Sequence, residues 1–442
     1  MAVDKMGKTY IVKGGGHLRG EIEIRGAKNA VTKEMVASLL AEGEMVLGNV
    51  PEIGDVRITR QILEALGCRT HYEQERSELR LDTGGLKTFK VPAEYSGINR
   101  IPILMAGPLL HRFKEARIPV MGGCDIGPRP VDFHISGLKA LGADVSFDGQ
   151  AYHFSAKRLK GAKIELPFPS VGATENIMMA AVMAQGTTVI KNAAIEPEIL
   201  DLALLLQSMG AIIAQEVDRT WIIQGVHELH PAAHQVINDR IEAASFAVSA
   251  IATRGDVYIK GAEQEHIQTF LNWLRKAGGE FEILPEGIRF FGQDAAIKPI
   301  AAETAVHPGL MTDWQQPLAI LLTLADGVSV IHETVYENRF GYVDALNKMG
   351  ARIQLFRECL GGLPCRFRHS GHQHSCVITG PTRLKGAAIE IPDLRAGFSY
   401  LVAAVMADGT SELSNAGYIE RGYDRILDKF RSLGVNIEAV DG

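Results

Sequence analysis

The chain has 442 residues, of which 46% are hydrophobic and 22% are charged. These fractions are those of an ordinary globular protein, so they exclude a disordered, collagen-like or coiled-coil chain, and the length predicts two or three domains or one repeat array. The 46 Lys and Arg residues against 52 Asp and Glu residues give a net charge of -6, which argues against a surface that binds nucleic acid or anionic membrane.

The first residues, MAVDKMGKTYIVKGGGHLRG, lack the apolar stretch of a secretory signal. The most apolar stretches, NIMMAAVMA and PLAILLTLA, are far shorter than the ~20 residues that cross a bilayer. Five cysteines in a chain of this length do not form a disulfide framework. We therefore expect a cytoplasmic protein without a membrane span.

A helix-ending signature occurs six times at intervals of roughly 70 residues, which predicts an internal repeat. Its copies are LEALGCRT, LKALGADV, LQSMGAII, LRKAGGEF, LNKMGARI and FRSLGVNI, with the glycines Gly67, Gly142, Gly210, Gly278, Gly350 and Gly434. Each copy follows an amphipathic stretch and precedes an alternating apolar pattern. Such a glycine is typical of a helix that ends in the left-handed conformation before a strand.

A second signature precedes the first in five of the six copies, and its glycines are Gly43, Gly186, Gly255, Gly327 and Gly409. Stretches that are apolar on most sides, such as IMMAAVMA and YLVAAVMA, come before several of these glycines and predict buried helices. Each copy thus predicts a strand, a buried helix, a strand, an amphipathic helix and one or two more strands. Two lobes of three copies, divided near residues 230–235 with a ligand cleft between them, are the simplest grouping. A plain solenoid is the alternative.

The turn in EIEIRGAKNAVTKE is the first place where one copy differs from the others. It puts Lys28 and Asn29 at the start of a helix. Free N–H groups at a helix start favour an anion, and Lys28 adds a positive charge to such a pocket. The alternative is that Asn29 caps the helix while Lys28 is solvated.

The stretch VMGGCDIGPRPVDFHISG replaces the second signature in the second copy. Glycines and prolines surround Cys124, which predicts a mobile loop on a rigid hinge. Arg129 is close in sequence, and a neighbouring positive charge makes a thiol more acidic. The alternative, a buried cysteine near a turn, fits this glycine-rich setting poorly.

Asp313 opens the buried helix of the fifth copy in HPGLMTDWQQPLAILL. It is either the cap of that helix or a general base that faces a cleft.

Arginines recur at comparable turns, at Arg100, Arg339, Arg395 and Arg421. Together they predict a substrate with several negative charges, because a guanidinium group matches phosphate and carboxylate with two hydrogen bonds. Singly, each could be a surface ion pair.

Seven motifs follow one another over nearly the whole chain: GAKNA, GGCDIGPRPVDFHISGLKALGA, PSVGATENIMMAA, HPGLMTDWQ, ETVYENRF, DLRAGFSY and IERGYDRI. In them the chain resembles the EPSP synthase-like family of enolpyruvyl transferases, and especially its members that act on UDP-N-acetylglucosamine, which carry the cysteine loop. The resemblance implies an α/β fold, a two-domain inside-out α/β barrel of six βαβαββ-type units, three per domain, with the active site in the interdomain cleft. It also implies one domain over residues 28–235, with the Cys124 loop, and a second over residues 1–27 plus 236–442.

The implied reaction moves the enolpyruvyl group of phosphoenolpyruvate to the 3′-hydroxyl of UDP-N-acetylglucosamine by addition and then elimination, and releases phosphate. It needs no cofactor and no metal. By resemblance, Cys124 is the general acid, forms a covalent adduct with phosphoenolpyruvate and is alkylated by the antibiotic fosfomycin. Asp313 is the base, and Lys28 and Arg421 complete the implied catalytic residues.

The resemblance also implies two sets of binding residues. Those expected to bind phosphoenolpyruvate are Lys28, Asn29, Arg129, Arg395 and Arg421. Those expected to bind UDP-N-acetylglucosamine are Asn29, Arg100, Arg129, Pro130, Val131, Asp132, Phe133, Ser170, Val171, Gly172, Asp313 and Val335. The alternatives are a related enolpyruvyl transferase for another nucleotide or sugar, and a non-catalytic nucleotide-sugar sensor. The joint presence of Cys124, Asp313 and Lys28 speaks against the sensor.

Three positions depart from the family pattern. Arg25 stands where serine is frequent, Leu104 where some members have tryptophan, and Phe168 where a basic residue is common. The last two are expected at the uridine diphosphate end of the substrate and bear on nucleotide affinity.

The stretch CLGGLPCRFRHSGHQHSC, from Cys359 to Cys376, holds three cysteines and three histidines. These are the residue types that bind zinc, but their spacing does not match a complete template of C-x₂-C followed by H-x₃₋₅-H. A metal site is therefore the less favoured interpretation, and we expect a long decorated hairpin.

Overall fold

The computed structural model describes residues 7–122, 130–292 and 296–441. These residues divide into two compact units. The unit that contains both chain ends, here called the terminal unit, comprises residues 7–25 and 238–441. The other, here called the central unit, comprises residues 26–122 and 130–237.

The described residues form 23 strands in six sheets. In chain order the strands are β1 (Lys8–Lys13), β2 (Arg19–Glu23), β3 (Glu44–Gly48), β4 (Arg69–Glu73), β5 (Glu78–Asp82), β6 (Glu115–Pro119), β7 (Asp144–Phe147), β8 (Ala151–Ser155), β9 (Lys163–Glu165), β10 (Thr187–Lys191), β11 (Ile212–Glu216), β12 (Thr220–Gln224), β13 (Ala233–Gln235), β14 (Asp256–Lys260), β15 (Glu280–Leu284), β16 (Gly287–Phe291), β17 (Ala301–Glu303), β18 (Val328–His332), β19 (Ile353–Phe356), β20 (Ser375–Thr379), β21 (Ala388–Glu390), β22 (Thr410–Ser414) and β23 (Asn436–Asp441).

Between the strands the same residues form thirteen α-helices and some short 3₁₀ helices. The α-helices are α1 (Lys28–Ala37), α2 (Gly54–Leu66), α3 (Ala106–Phe113), α4 (Asp132–Ala140), α5 (Val171–Ala181), α6 (Pro197–Ser208), α7 (Arg240–Ala252), α8 (Gln264–Lys276), α9 (Thr312–Leu322), α10 (Val343–Lys348), α11 (Leu394–Met406), α12 (Gly417–Glu420) and α13 (Ile426–Ser432). No helix in the described part of the chain has the length and apolar character needed to cross a membrane.

The central unit holds three of the six sheets, with strand orders β13-β3-β5-β4, β11-β12-β10-β9 and β6-β8-β7. In the first two, one edge strand runs parallel to its neighbour, β13 to β3 and β9 to β10, and the remaining pairs are antiparallel. In the third sheet, an isolated parallel bridge between Lys90 and Arg117 stands where the others have that edge strand. The three sheets therefore share one pattern of strand pairing.

The terminal unit holds the other three sheets, with strand orders β21-β22-β1-β23, β15-β16-β14-β2 and β17-β18-β20-β19. Each has one parallel edge pair, β21 with β22, β2 with β14 and β17 with β18, and antiparallel pairs elsewhere. Strand β1 is central in its sheet, where Tyr10 lies opposite both Leu413 and Ala439. The first strand of the chain is thus held by its last two.

Helices that are apolar on all sides form the interior of each unit. In the terminal unit, α7, α9 and α11 pack against one another, and residues 240–251 of α7 and 394–405 of α11 are all buried. In the central unit, α5 packs against α3 and α4, and residues 173–181 of α5 are buried. The burial of these residues confirms the prediction of buried helices. A helix without a polar face is stable only when it is covered on every side.

The six glycines of the helix-ending signature all have positive φ, between 86° and 109°. At the end of α2, for example, Gly67 donates its N–H to the carbonyl oxygen of Glu64, and Cys68 donates to Leu63. A side chain with a β-carbon resists this left-handed conformation, and glycine does not. The predicted helix ends are therefore confirmed at all six copies.

Candidate active site

Asp313 lies in the first turn of α9, and both of its carboxylate oxygens bind arginines. Arg339 donates from Nη2 to Oδ1, and Nε of Arg395 lies 3.3 Å from Oδ2. The residue that precedes the helix as its cap is Met311. The interpretation of Asp313 as a helix cap is therefore wrong, and its carboxylate belongs to an ion-pair cluster within the terminal unit.

The two arginines of this cluster are buried but remain charged. Burial lowers the pKa of both guanidinium groups, yet neighbouring groups more than offset this, so both pKa values are raised above the usual range. For Arg339 the main stabilising neighbour is Asp313, and for Arg395 it is Tyr423, whose hydroxyl accepts a hydrogen bond from Nη1 at 2.7 Å. The cluster thus presents permanent positive charge around one carboxylate.

The local sequence explains how Arg395 is held. It is the second residue of α11, and the cap of this helix is Asp393, whose Oδ1 accepts from the backbone N–H groups of Arg395 and Ala396 at 2.8 and 3.2 Å. The guanidinium group also lies 5.6 Å from the centre of the Tyr423 ring. The DLRAGF motif is therefore a capped helix start that fixes one arginine.

Glu333, which the sequence analysis did not single out, organises the turn after β18. Its buried carboxylate accepts hydrogen bonds from the Thr312 hydroxyl at 2.9 Å and from the backbone N–H groups of Val335 and Tyr336 at 2.7 and 3.0 Å. Burial raises the pKa of Glu333. A glutamate just after a strand in ETVYENRF was the only signal in the sequence, and it does not distinguish a buried acceptor from a solvated side chain.

Two further predicted residues of the terminal unit have simpler surroundings. Val335 is buried, and its carbonyl oxygen accepts a hydrogen bond from Arg366. Arg421 follows α12 directly and is half-buried.

In the central unit, Lys28 is the first residue of α1 and pairs with a buried carboxylate. Its Nζ lies 2.9 Å from Oδ2 of Asp55, which is in the first turn of α2. The cap of α1 is Ala27, without a side-chain hydrogen bond. The alternative interpretation of this turn, with Asn29 as the cap and Lys28 merely solvated, is therefore wrong.

The predicted nucleotide-binding residues of the central unit lie at two helix starts. Val131 precedes α4, Asp132 and Phe133 are in its first turn, and the carbonyl oxygen of the exposed Pro130 accepts from Nη2 of Arg100 at 3.4 Å. Helix α4 therefore begins beside Arg100.

Ser170 caps α5, with Oγ accepting from the N–H of Ala173 at 3.4 Å, and Val171 and Gly172 follow it. A β-carbon at Gly172 would lie 3.2 Å from Cε1 of His134 in α4, so a larger residue here would press on that ring. Nδ1 of His134 is 3.1 Å from Nδ2 of Asn176. The two helix starts are therefore packed together, and the start of a helix is a place where backbone N–H groups favour an anion.

The remaining predictions are placed as follows. Cys124 and Arg129 lie outside the described residues. Leu104 is buried in the core of the central unit, whereas Phe168 is half-buried just before α5. Any effect of Leu104 on a nucleotide therefore acts through packing.

The chain is similar to known proteins in family, in sequence and in structure. The family model of EPSP synthase (3-phosphoshikimate 1-carboxyvinyltransferase) matches residues 12–430. The UDP-N-acetylglucosamine 1-carboxyvinyltransferase of Protochlamydia amoebophila is 49% identical over 436 residues, 97% of this chain and 94% of that protein. The protein of the same name from Chlamydia abortus is 47% identical over 432 residues, 97% of each chain. UDP-N-acetylglucosamine 1-carboxyvinyltransferase 1 of Staphylococcus epidermidis is 39% identical over 433 residues, 98% of this chain and 99% of that protein.

Two solved structures share the fold. The enolpyruvyl transferase NikO from Streptomyces tendae superposes with a TM-score of 0.87 at 21% identity, over 98% of this chain and 99% of that chain. EPSP synthase from Acinetobacter baumannii superposes with a TM-score of 0.73 at 17% identity, with the same coverage of the two chains. Proteins with low sequence identity to this chain therefore adopt the same mixed α/β architecture with several sheets.

Proposed function

The chain belongs to the EPSP synthase family of enolpyruvyl transferases, and from its relatives we infer that it acts on UDP-N-acetylglucosamine. It transfers the enolpyruvyl group of phosphoenolpyruvate to the 3′-hydroxyl of that sugar nucleotide and releases phosphate, the first committed step of peptidoglycan synthesis. The observation that carries this conclusion is the 49% identity, over 97% of the chain, to a protein with the name of this activity. An enolpyruvyl transferase for another acceptor is not favoured by relatives of such similarity.

The proposal includes the finer architecture. Each of the six sheets, with its helices, is one βαβαββ-type unit, and three units make up each domain of an inside-out α/β barrel, over residues 28–235 and over residues 1–27 plus 236–442. The shared strand pairing of the sheets and the six helix-ending glycines support this description.

The proposed chemistry is addition followed by elimination. The 3′-oxygen of the sugar bonds to C2 of phosphoenolpyruvate while Asp313 takes the hydroxyl proton, and Cys124 gives a proton to the methylene carbon. In the second step a base takes a proton from that carbon, the double bond forms again, and the bond from C2 to the phosphate oxygen breaks, so that inorganic phosphate leaves with the bonding electron pair. General acid–base groups of this kind contribute typically ~10²–10⁴-fold to the rate.

The contacts of Asp313 support its role as the base. Because Arg339 and Arg395 hold both oxygens, the direction of the carboxylate is fixed before a substrate binds, and a positioned group needs less reorganisation during reaction. The side chain keeps 16% of its surface exposed, whereas Arg339 keeps 1%. A hydroxyl group can therefore approach the carboxylate but not the arginine behind it.

The proposed substrate clamp consists of positive groups and helix starts. Phosphoenolpyruvate is bound by Lys28, Asn29, Arg129, Arg395 and Arg421. The sugar nucleotide is bound by the residues at the starts of α4 and α5, by Arg100, Asn29 and Arg129, and by Asp313 and Val335. The buried, permanently charged Arg395 supports this assignment, since phosphate and carboxylate are the anions that a guanidinium group binds best.

We also place the enzyme in the cytoplasm. The described cysteines, Cys68, Cys359, Cys365 and Cys376, form no disulfide bond, which fits a reducing compartment.

Phosphate release with a panel of acceptors tests the proposed function. The purified chain is mixed with phosphoenolpyruvate and UDP-N-acetylglucosamine, UDP-glucose or 3-phosphoshikimate. Release with UDP-N-acetylglucosamine, and little with the other two, is the expected result. Release only with another acceptor would overturn the substrate assignment, and no release with any acceptor would favour a nucleotide-sugar sensor.

A further inference from the structure

Two histidines and two cysteines of the terminal unit converge at one end of the sheet β17-β18-β20-β19. They are His332, Cys359, Cys365 and His374, and their Nδ1 or Nε2 and Sγ atoms lie within 4.8 Å of one another. His332 ends β18, His374 precedes β20, and both cysteines come from residues 357–374, the loop between β19 and β20. The predicted hairpin is present, but its loop brings Cys359, Cys365 and His374 together with His332 of β18.

The hydrogen bonds of His332 determine which of its ring nitrogens carries the proton. Nδ1 is 2.8 Å from Oγ of Ser375, and that hydroxyl donates its hydrogen to the carbonyl oxygen of Glu358 at 2.7 Å. Ser375 can therefore only accept from the ring, so Nδ1 of His332 is the protonated nitrogen. Nε2 then carries a lone pair.

That lone pair is buried without a partner. His332 has no exposed surface, and its Nε2 has no hydrogen-bond partner among the residues that the structure describes. A buried acceptor without a donor costs about 1–3 kcal/mol. The ring is fixed by Ser375, so it cannot turn this nitrogen to solvent.

His374 is held in the same way. Its Nδ1 is 2.8 Å from the carbonyl oxygen of His372, which can only accept, so Nδ1 is protonated here as well. Nε2 is consequently the free nitrogen, and it lies 3.3 Å from Sγ of Cys359. Both histidines thus direct an unprotonated Nε2 into the cluster, with the second nitrogen bound to oxygen as in protein metal sites.

The loop that carries the cysteines is fixed by contacts of its own. The carboxylate of Glu303 accepts from the backbone N–H groups of Gly362 and Leu363 at 2.7 and 2.8 Å. The N–H of Phe367 donates to Sγ of Cys365 at 3.4 Å, which fixes the position of the sulfur. The buried ring of Phe367 packs 5.9 Å from that of His374. The cysteines are therefore presented by an anchored segment.

We propose that His332, Cys359, Cys365 and His374 bind one zinc ion that ties the loop 357–374 to the end of β18. Two thiolates and two neutral imidazoles are a frequent ligand set for structural zinc, with bonds of ~2.3 Å to sulfur and ~2.0–2.1 Å to nitrogen. Tetrahedral bonds of these lengths separate the ligand atoms by about 3.3–3.8 Å. The 3.3 Å between Cys359 and His374 already fits this.

Binding releases two protons, one from each thiol, and the two thiolates balance the charge of the ion. Four protein ligands leave no open position, so the ion is structural and takes no part in transfer chemistry. The same loop supplies Arg366, which donates to the carbonyl oxygen of Val335 and lies 3.3 Å from Glu337. Zinc therefore also fixes the segment that follows β18.

The spacing of residues 359–376 did not favour a metal site because His332 lies on a different strand, well before Cys359 in the chain. The cluster is completed only by the antiparallel pairing of β18 with β20, which places His332 opposite Ser375. No spacing template contains such a ligand.

Metal binding by the full-length chain tests the proposal. The chain is purified in the presence of a phosphine reductant, stripped with a chelator, and titrated with Zn²⁺ while bound metal is measured by mass spectrometry. One zinc per chain is expected, and zinc should raise the midpoint of thermal unfolding. Co²⁺ in its place should give the visible absorption of a tetrahedral site and a near-ultraviolet band from thiolate. Absence of stoichiometric zinc binding, or a Cys359–Cys365 disulfide under reductant, would overturn the proposal.

Variants locate the ion within the chain. Cys365→Ser and His332→Gln should each lower zinc affinity at least ~10-fold and abolish the thermal shift. His369→Gln, an exposed histidine of the same loop, is the matched control and should bind zinc as the wild type does. Wild-type affinity in Cys365→Ser, or an equal loss in His369→Gln, would place the ion elsewhere. The cobalt spectrum is measured on the wild-type chain, so it tests for a tetrahedral thiolate site even if a variant fails to fold.

Discussion

Arg339 donates from Nη2 to Oδ1 of Asp313, and of this pair the arginine is buried while the carboxylate is partly exposed. Asp313 therefore has two roles, as the counter-charge of a buried arginine and as a carboxylate that a substrate can reach. Substitution of Asp313 affects both roles at once. The arginine depends on the negative charge of Asp313, because burial opposes its own charge. The carboxylate, in turn, is held in one direction by the arginine.

Asp313→Asn should therefore reduce both turnover and stability. Because the substitution removes the general base, it should lower kcat by ~10²–10⁴-fold, with a smaller change in the KM for UDP-N-acetylglucosamine. Because the substitution also removes the counter-charge of Arg339, it should lower the free energy of unfolding by about 1–3 kcal/mol. Phosphate release and urea unfolding measure the two effects.

Asp344→Asn is the matched control, since Asp344 is an exposed aspartate in the first turn of α10 in the same unit. It should leave kcat and unfolding nearly unchanged. Near wild-type turnover in Asp313→Asn would exclude this residue as the base, even if stability falls as expected.

Cys124 is the second residue whose role can be tested directly. Cys124→Ala should bind UDP-N-acetylglucosamine but lose most turnover, whereas Cys124→Asp should keep part of it, because a carboxylic acid can also supply a proton. Calorimetric binding and phosphate release separate the two properties. An alanine variant with normal turnover would rule out the general-acid role.

Fosfomycin gives an independent check on the same residue. We expect peptide mass spectrometry to find one adduct, on Cys124, with Cys68, Cys359, Cys365 and Cys376 unmodified. Burial raises the pKa of the Cys68 thiol to about 11 and that of Cys376 to about 12, so these two are poor nucleophiles at neutral pH. An adduct on any cysteine other than Cys124 would contradict the assignment.

Phe168 offers a test of nucleotide affinity. It precedes the start of α5 at a position where the family resemblance implies a basic residue. We therefore expect Phe168→Arg to lower the KM for UDP-N-acetylglucosamine severalfold, by about 0.5–1 kcal/mol, with little change in kcat. The gain should shrink as salt is added, since exposed charges are screened. Phe147→Arg, at an exposed phenylalanine of the same unit, is the control. Equal KM values for both variants would show that position 168 lies outside the nucleotide site.

The features of the fold that have local causes were predictable from the sequence. Six glycines marked six helix ends because a left-handed residue is needed there whatever the rest of the chain does. Strand pairing was different: nothing near Tyr10 indicates that it lies between Leu413 and Ala439. Only the family resemblance, which the comparisons confirm, assigned the first residues to the second domain.

For the candidate site, residue types were predictable and their partners were not. Asp313 was singled out as a charged residue at a helix start and Arg395 as one of several arginines at turns, but their ion pair depends on how α9 and α11 pack. The hairpin of residues 359–376 was predicted as such, yet its cluster depends on His332 from another strand. Contacts between segments that are far apart in the sequence cannot be predicted from the spacing of residues within one segment.

Glu175 is a carboxyl group in an unusual setting that affects stability rather than chemistry. It lies in α5, within the core of the central unit, without exposed surface. Burial raises its pKa from 4.5 to about 8; Lys33, whose Nζ is 3.9 Å away, opposes the shift, and Glu198 and Glu196 add to it. The folded chain therefore keeps this proton up to about pH 8, whereas the unfolded chain releases it near pH 4.5.

Since the folded state binds more protons than the unfolded state between these values, the contribution of Glu175 to stability falls as pH rises from about 4.5 to about 8. Glu175→Gln has no such proton, so its stability relative to the wild type should increase through this window, by about 1.4 kcal/mol per pKa unit and a few kcal/mol at most. Urea unfolding of both chains at the two ends of the window measures the difference. Glu165→Gln, which changes an exposed glutamate of β9, should show no such trend. Parallel pH profiles for Glu175→Gln and the wild type would mean that Glu175 is ionised in the folded protein.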